Sequence, residues 1–544
     1  MKKIRINVLT LAGVIVTFTC LLSSCNDDYL DEIPMGFLSP ENTFVNKEGF
    51  ESGIAELYRV SRTVVTSDAL AGMIATERDK SLTTLYASGT DMGWYWDKKN
   101  YYGDYAIINS FDVSAQNLWI RFYTLIKDAN VILSRSESEA AKWDSEEDKL
   151  LIQAEARFFR GLAYRYLAHL FGGVPVIDAE ITSPVLDFVR ASREDVLDFI
   201  VRDLEFAIQY LPVTNNRDGH ITVAAANQLL AETYIATGEY DKSIEASSRI
   251  INDPQYHLMT ERFGTMTDKP GDVFWDLFRL GNQNNSQNKE VIWAWQVEYN
   301  VPGGDAPYTF ERSWGPLLEQ LKTPDGKVAI LKDEFLGRPI GFIRPSVFLE
   351  YTIWKSDWDN DIRNSEYNMK RHFIINNPAS SYYGQVYQPT KDDTVRKHFV
   401  YVQKAAHPYG HPQGYDTGGQ LFSDCYAMRL AETYLLRAEA YLNKNEKVKA
   451  AADINVVRAR ANATPVNPDE LDIEYLLDER ARELVAEEPR RLTLARLGLL
   501  YSRVKNYNPV SASSIKEYNN LLPIPQTEID ANQGAVLEQN PGYN

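Results

Sequence analysis

Between Asp424 and Asn462 the apolar residues recur at steps of three and four, and that rhythm limits the fold more than any other stretch. Ala427, Leu430, Ala431, Tyr434, Leu435, Ala438, Tyr441 and Leu442 share one face of a 3.6-period helix. Asn443 to Glu446 is polar and interrupts the pattern, which resumes at Ala450, Ile454, Val457 and Ala461. Two antiparallel helices with a tight connection are therefore predicted. Ala438 and Ala450 are small enough to let the backbones approach closely, with Tyr441 filling beside them.

An upstream stretch repeats this spacing, with Ala231, Tyr234, Gly238 and Tyr240 ahead of Ile244 and Ile250, and Pro254 beyond. Alanines and a tyrosine at those positions resemble a tetratricopeptide (TPR) repeat, whose helical hairpins stack on one another. Two copies predict a mostly α, TPR-like helical-repeat scaffold. Further helices are expected at 49–60, 114–134, 147–171, 193–211, 223–252 and 473–488, with Trp119 on a core-facing stripe. Gly172-Gly173 and Pro175 stop the third of these.

From 253 to 423 the helical rhythm fails, and Gly, Pro, Asn and Asp punctuate short strands. Val291, Trp293, Trp295, Val297 and Tyr299 alternate as one face of a strand, with the two tryptophans in the core. A loop-rich stretch of this length is far beyond an ordinary connection and is expected to be functional. The chain thus divides into 1–24, 25–40, an N-terminal helical part at 41–252, the insertion at 253–423, and C-terminal helices with an extended tail at 424–544.

Residues 1–24 read as an export signal: Lys2, Lys3 and Arg5 precede an apolar run, Val8–Leu22, that is short of the roughly 20 residues a spanning helix needs. The run closes on Leu22-Ser23-Ser24-Cys25, which resembles a bacterial lipobox, so Cys25 is expected to be acylated and to become the first mature residue. Asn26-Asp27-Asp28 resembles the surface-export signal of Bacteroidetes lipoproteins, and 25–40 is the expected tether. Three cysteines exclude a disulfide framework, and a formal charge of −18 argues against a nucleic-acid partner.

These pieces resemble the SusD/RagB family of outer-membrane lipoproteins. The resemblance is carried by the lipobox, Phe159 to Tyr164 running into Phe171 to Pro175, Arg429 to Tyr434 and Asn455 to Arg460. It continues through Glu479-Arg480 with Glu483-Leu484, Glu487 to Arg491, and Ile524-Pro525 with Gln539 to Tyr543. It implies an outer-membrane, lipid-anchored, cell-surface binder that sits as a lid on a SusC-like TonB-dependent transporter and captures oligosaccharides or, in some members, peptides.

A sugar presents C–H groups on one face and hydroxyls at its edge, so flat rings beside polar groups suit it. Trp94, Tyr95, Trp96 and Asn100, inside the Gly-flanked stretch Asp91 to Tyr102, are the first candidates. The resemblance adds that the family's ligand loop follows a Thr-Asp pair, here Thr90-Asp91. Tyr308 and Trp314 are the second, Trp314 resembling the family's stacking tryptophan; Trp354 and Trp358 fit core or cap positions as well.

Nothing points to catalysis or a cofactor: His-Glu-x-x-His, Gly-x-Ser-x-Gly, Cys-x-x-Cys and Walker motifs are absent. Pro408, Gly410 and Pro412 forbid a helix that would set His407 and His411 as metal ligands. Asp357, Asp359 and Asp361 begin like an EF-hand, but Ile362 and Asn368 replace its glycine and its last acid. Glu479 to Arg491 reads as ion pairs at helical spacing. The expected function is non-catalytic glycan capture; a peptide-binding member, a surface glycoside hydrolase and a TPR assembly scaffold are the rivals.

Overall fold

The computed structural model describes residues 39–66, 70–74, 78–214, 217–304, 307, 309–411, 414 and 420–543. The expected signal, the lipobox with Cys25, and Tyr308 lie outside the described residues. The N-terminal part carries α1 (Lys47–Arg62), α2 (Arg78–Tyr86), α3 (Val113–Ser136), α4 (Glu146–Leu170), α5 (Arg193–Tyr210), α6 (Val223–Thr237) and α7 (Tyr240–Ile251). Local chemistry sets their ends. The side chains of Asn46, Asp112, Ser145 and Ser192 accept hydrogen bonds from the amides of Gly49, Ala115, Asp148 and Asp195, opening α1, α3, α4 and α5. Such caps each contribute about 1 kcal/mol. Gly238, at φ +81°, ends α6 in the left-handed conformation that glycine adopts without penalty.

After the loop region come α8 (Leu430–Asn443), α9 (Lys447–Arg460), α10 (Ile473–Leu484), α11 (Arg490–Arg496) and α12 (Leu500–Tyr507). Each helix from α3 to α9 packs on the next, and α7 packs directly on α8, so the ribbon runs straight across the 253–423 stretch. The two hairpins read from the sequence, α6–α7 and α8–α9, meet through buried Ile235, Leu436 and Ala440, with Tyr240 and Ile244 against them. Burying a side chain of that size contributes about 1.5–3 kcal/mol. The architecture is a mostly α, TPR-like scaffold.

The described strands are short: β1 (Gly93–Tyr95), β2 (Val291–Trp295), β3 (Ile343–Pro345), β4 (Met369–Lys370), β5 (Tyr401–Val402) and β6 (Cys425–Arg429). They pair antiparallel as β1–β3, β2–β6 and β4–β5. β6 corrects the expected start of the organising hairpin. Residues 425–429 are extended and pair with β2, and the helix begins only at Leu430, whose amide donates to Glu290 O. The single-faced strand is also corrected. Trp293 and Trp295 are buried as expected, but so are Ile292 and Ala294 between them, while Tyr299 is exposed. Core on both faces erases a period of two. α10 stops at Leu484 rather than 488, and Gln526–Ala531 forms a short helix in the expected extended tail.

Candidate functional site

Asp91 fixes the site from below. It is fully buried, and its carboxylate accepts from Arg490 at 2.6 and 2.9 Å and from Arg503 at 2.9 Å. Burial alone would raise this carboxyl, but the two guanidiniums outweigh it and hold the pKa at about 2. Around Asp91 the backbone is clamped: Asn508 Nδ2 donates to the carbonyls of Thr90 and Gly93, and Ser346 Oγ donates to that of Asp91. The chain therefore enters β1 in one position, set by α11 and α12 from the far end of the sequence.

β1 pairs with β3 in the register Gly93 to Pro345, Trp94 to Arg344 and Tyr95 to Ile343, extended at either end by Ser346 N to Met92 O and Trp96 N to Phe342 O, both 2.9 Å. Only glycine fits at 93, because a Cβ there would lie 2.4 Å from Arg344 O. Alternation then sorts the rings. Tyr95 turns inward, 5% exposed, against Phe342 and edge-on to Tyr101. Trp94 and Trp96, two residues apart, stay partly exposed.

Each of these indoles has a guanidinium over its ring, Arg344 at 5.9 Å from Trp94 and Arg396 at 4.1 Å from Trp96. Arg344 is held by Thr394 O at 2.7 Å and Glu350 at 2.8 Å; Arg396 Nε donates to Ile340 O at 3.0 Å. Burial pulls the Arg396 pKa below its ordinary value. Neither arginine was legible as a site residue, since an isolated Arg in a loop carries no spacing signal.

The other candidates are distributed unevenly. Asn100 is exposed in the turn after β1, its amide donating to Asp97 at 2.7 Å. That turn continues through Tyr101 and Tyr102, both at positive φ, and Tyr102 is locked by its hydroxyl to Asp112 at 2.7 Å. Such backbone costs about 1–3 kcal/mol per residue and persists where the surroundings enforce it. Trp314, expected as a stacking ring, is instead 1% exposed. It sits four residues after buried Phe310 in the short helix Phe310–Trp314, which packs on β3, so both rings point into the core. Trp354 is likewise buried, whereas Trp358 is exposed.

The carboxylates of the last helices are ion-paired, but not locally as expected. Glu479 meets Arg363, Arg458 and Arg482 at 2.7–2.8 Å; Glu483 meets Arg363, Arg429 and Arg460; Glu487 meets Arg429 and Lys404; Glu488 meets Arg480 and Arg490. Arg482 with Glu479 is the pair at helical spacing; most of the others cross from separate elements. Burial would raise Glu479, yet its three guanidiniums hold it at about 2. Carboxylates kept ionised in this way weld elements together and are poorly suited to passing protons. Asp357 and Asp361 are similarly taken, by Arg458 and Arg363.

Known proteins share this plan. Residues 346–543 match the model of the SusD family, and 28–235 match a model described as starch-binding associating with outer membrane. SusD-like protein P2 of Formosa agariphila is 24% identical over 564 residues, spanning 97% of this chain and 99% of its own. The starch-binding protein SusD of Bacteroides thetaiotaomicron is 36% identical over 140 residues, 25% of this chain and 23% of that one. Surface glycan-binding protein A of the same organism, solved with laminarihexaose, has the same fold, with a TM-score of 0.67 at 20% identity over 91% of this chain and 99% of that one. With the two models matching 28–235 and 346–543 in turn and relatives aligned along almost all of its length, the chain belongs to the SusD/RagB family.

Proposed function

We propose that the protein is a cell-surface lipoprotein that captures a glycan without altering it and passes it to a SusC-like TonB-dependent transporter. The observation that carries the reading is the Trp94–Trp96 face: two partly exposed indoles, each paired with a tethered guanidinium, on a ladder clamped from below. A pyranose ring places its C–H groups on such indoles, and hydroxyls at its edge meet polar groups, with Asn100 nearby on the following turn. A cation over an exposed ring contributes about 0.5–1 kcal/mol, and rings already held in place lose little freedom when a ligand arrives. The glycans in the relatives' names support a sugar as ligand, and acylation of Cys25 with the 25–40 tether would hold the frame at the outer membrane.

Titration calorimetry against a panel of oligosaccharides tests the site. Trp94→Ala and Trp96→Ala are each expected to weaken binding about tenfold, equivalent to about 1.4 kcal/mol. Wild-type affinity in both variants would remove the face proposed here. Sugar release from the bound glycan would replace capture with hydrolysis, and failure of the acylated protein to co-purify with a large β-barrel would remove the transporter.

A further inference from the structure

The construction seen at β1 recurs nearby. Tyr351 and Trp358 are 46% and 41% exposed, their ring planes lie within 7° of each other, and their centroids are 6.1 Å apart. One guanidinium serves both: Arg371 Cζ lies 4.8 Å from the Trp358 ring and 6.0 Å from that of Tyr351. Arg371 is itself tied down, donating to Glu350 O and Asn364 Oδ1 at 2.7 Å and to Met369 O at 2.9 Å. Asn364 Nδ2 in turn donates to Trp358 O at 2.8 Å, so ring, cation and backbone form one fixed unit.

Two parallel aromatic planes left open to water, when other tryptophans of the loop region are buried, need a reason. Their surroundings favour a hydroxylated ligand over a protein interface. Besides Tyr351, Trp358 and Tyr367, the exposed residues of the segment are polar, namely Lys355, Ser356, Asp359, Asn360, Glu366 and His372, whereas the centre of a protein interface is depleted of charge. The unit is also joined to the first face through a single residue. Glu350 gives its carboxylate to Arg344, the cation at Trp94, and its carbonyl to Arg371, the cation at Trp358.

We propose that Tyr351 and Trp358 form a second carbohydrate-stacking surface, which takes further sugar residues of a long glycan whose other part lies on Trp94 and Trp96. This rests on the glycan-binding reading above. It implies that affinity grows with ligand length beyond what the first face supplies, as expected when a second contact becomes intramolecular.

The test compares full-length wild type with Y351A/W358A and with W94A/W96A. The probes are amylopectin, laminarin, xylan and galactomannan, each paired with its own trisaccharide, read by affinity electrophoresis and calorimetry. Both new positions are exposed, and melting curves check that the variants fold. For a polysaccharide that wild type retains, Y351A/W358A is expected to weaken binding about fivefold and leave the trisaccharide unchanged. W94A/W96A is expected to weaken both ligands. If Y351A/W358A binds polysaccharide as wild type does while W94A/W96A does not, the second surface is overturned and the first stands. If Y351A/W358A keeps its glycan affinity but no longer co-purifies with a β-barrel partner, the surface is a protein contact and the proposal fails. Wild type that retains none of the four polysaccharides overturns this surface and the proposed function together.

Discussion

Trp96 lies partly open with Arg396 4.1 Å from its ring, while Trp314 is sealed in the core four residues after Phe310. The same side chain therefore answers to different measurements. Trp314→Ala is expected to cost about 3–5 kcal/mol of stability, seen as an earlier urea transition, with glycan affinity of the folded fraction retained. A Trp314→Ala protein of undiminished stability and lost affinity would return that ring to the site. Glu311, one helical position from Phe310, carries a second prediction. Burial pushes its carboxyl up to about 8, the hydrogen bonds from Arg338 N and Tyr401 offset this only in part, and Oε2 has only the buried Nδ1 of His411 near it, at 4.0 Å and beyond hydrogen-bond reach. Unfolded, the group ionises near its ordinary 4.5, so between about pH 4.5 and 8 the unfolded chain loses a proton that the folded one keeps. Stability falls across that window, by at most about 1.4 kcal/mol per pH unit. Glu311→Gln is expected to raise Tm over wild type more at pH 8 than at pH 5, and an equal effect at both would show that the buried proton is not the cause.

At the scale of elements, β1 depends on contacts that no local pattern announces. Asp91→Asn would leave Arg490 and Arg503 buried without a full countercharge, a change worth about 3–5 kcal/mol. It should also free the ladder, so hydrogen exchange at the Trp96 amide, which donates to Phe342 O, should quicken more than at mid-helix amides of α4. Uniform quickening along the chain would mean that Asp91 supports the whole fold and not this ladder. The same contrast explains what could be read in advance. α5, α7, α8 and α9 were legible because burial on one side leaves a 3.6-residue rhythm, whereas α4 and α6, buried almost all round, were legible from apolar residues at the same steps and from the glycines that follow them. β6 was not, because it runs without a break into α8 and its pairing with β2 is set by residues far away in sequence. Trp94 and Trp96 stood out as aromatics with no helical period. Arg344 and Arg396, and the partners of Glu479 and Glu483, depend on segments that meet only in the folded chain. The four-residue step from Phe310 to Trp314 was a readable sign of burial that the surrounding glycines and prolines obscured.

Across the whole molecule, the proposed binding face and the fold share one electrostatic foundation. Asp91 and Glu479 are held at about 2 and Glu483, Glu487 and Glu488 are likewise lowered, in each case by guanidiniums or a lysine that outweigh the upward push of burial. A carboxyl with a depressed folded pKa contributes stability above its unfolded pKa, near 4 to 4.5, and loses it as pH falls towards the folded value. The chain is therefore expected to be stable at pH 5 and to lose Tm steeply between about pH 4 and 2. Because these pairs are buried, raising NaCl to about 1 M at neutral pH should leave Tm nearly unchanged, whereas exposed pairs would be screened. Asp91 belongs to this set and also positions the strand that carries Trp94 and Trp96, so glycan binding and folding should fail together. Binding followed by tryptophan fluorescence and folding followed by far-UV circular dichroism should share one acid midpoint. Binding lost at a higher pH than the helices would mean that the ladder opens on its own, and that the arginines of α11 and α12 do not couple the proposed sugar-binding face to the rest of the scaffold.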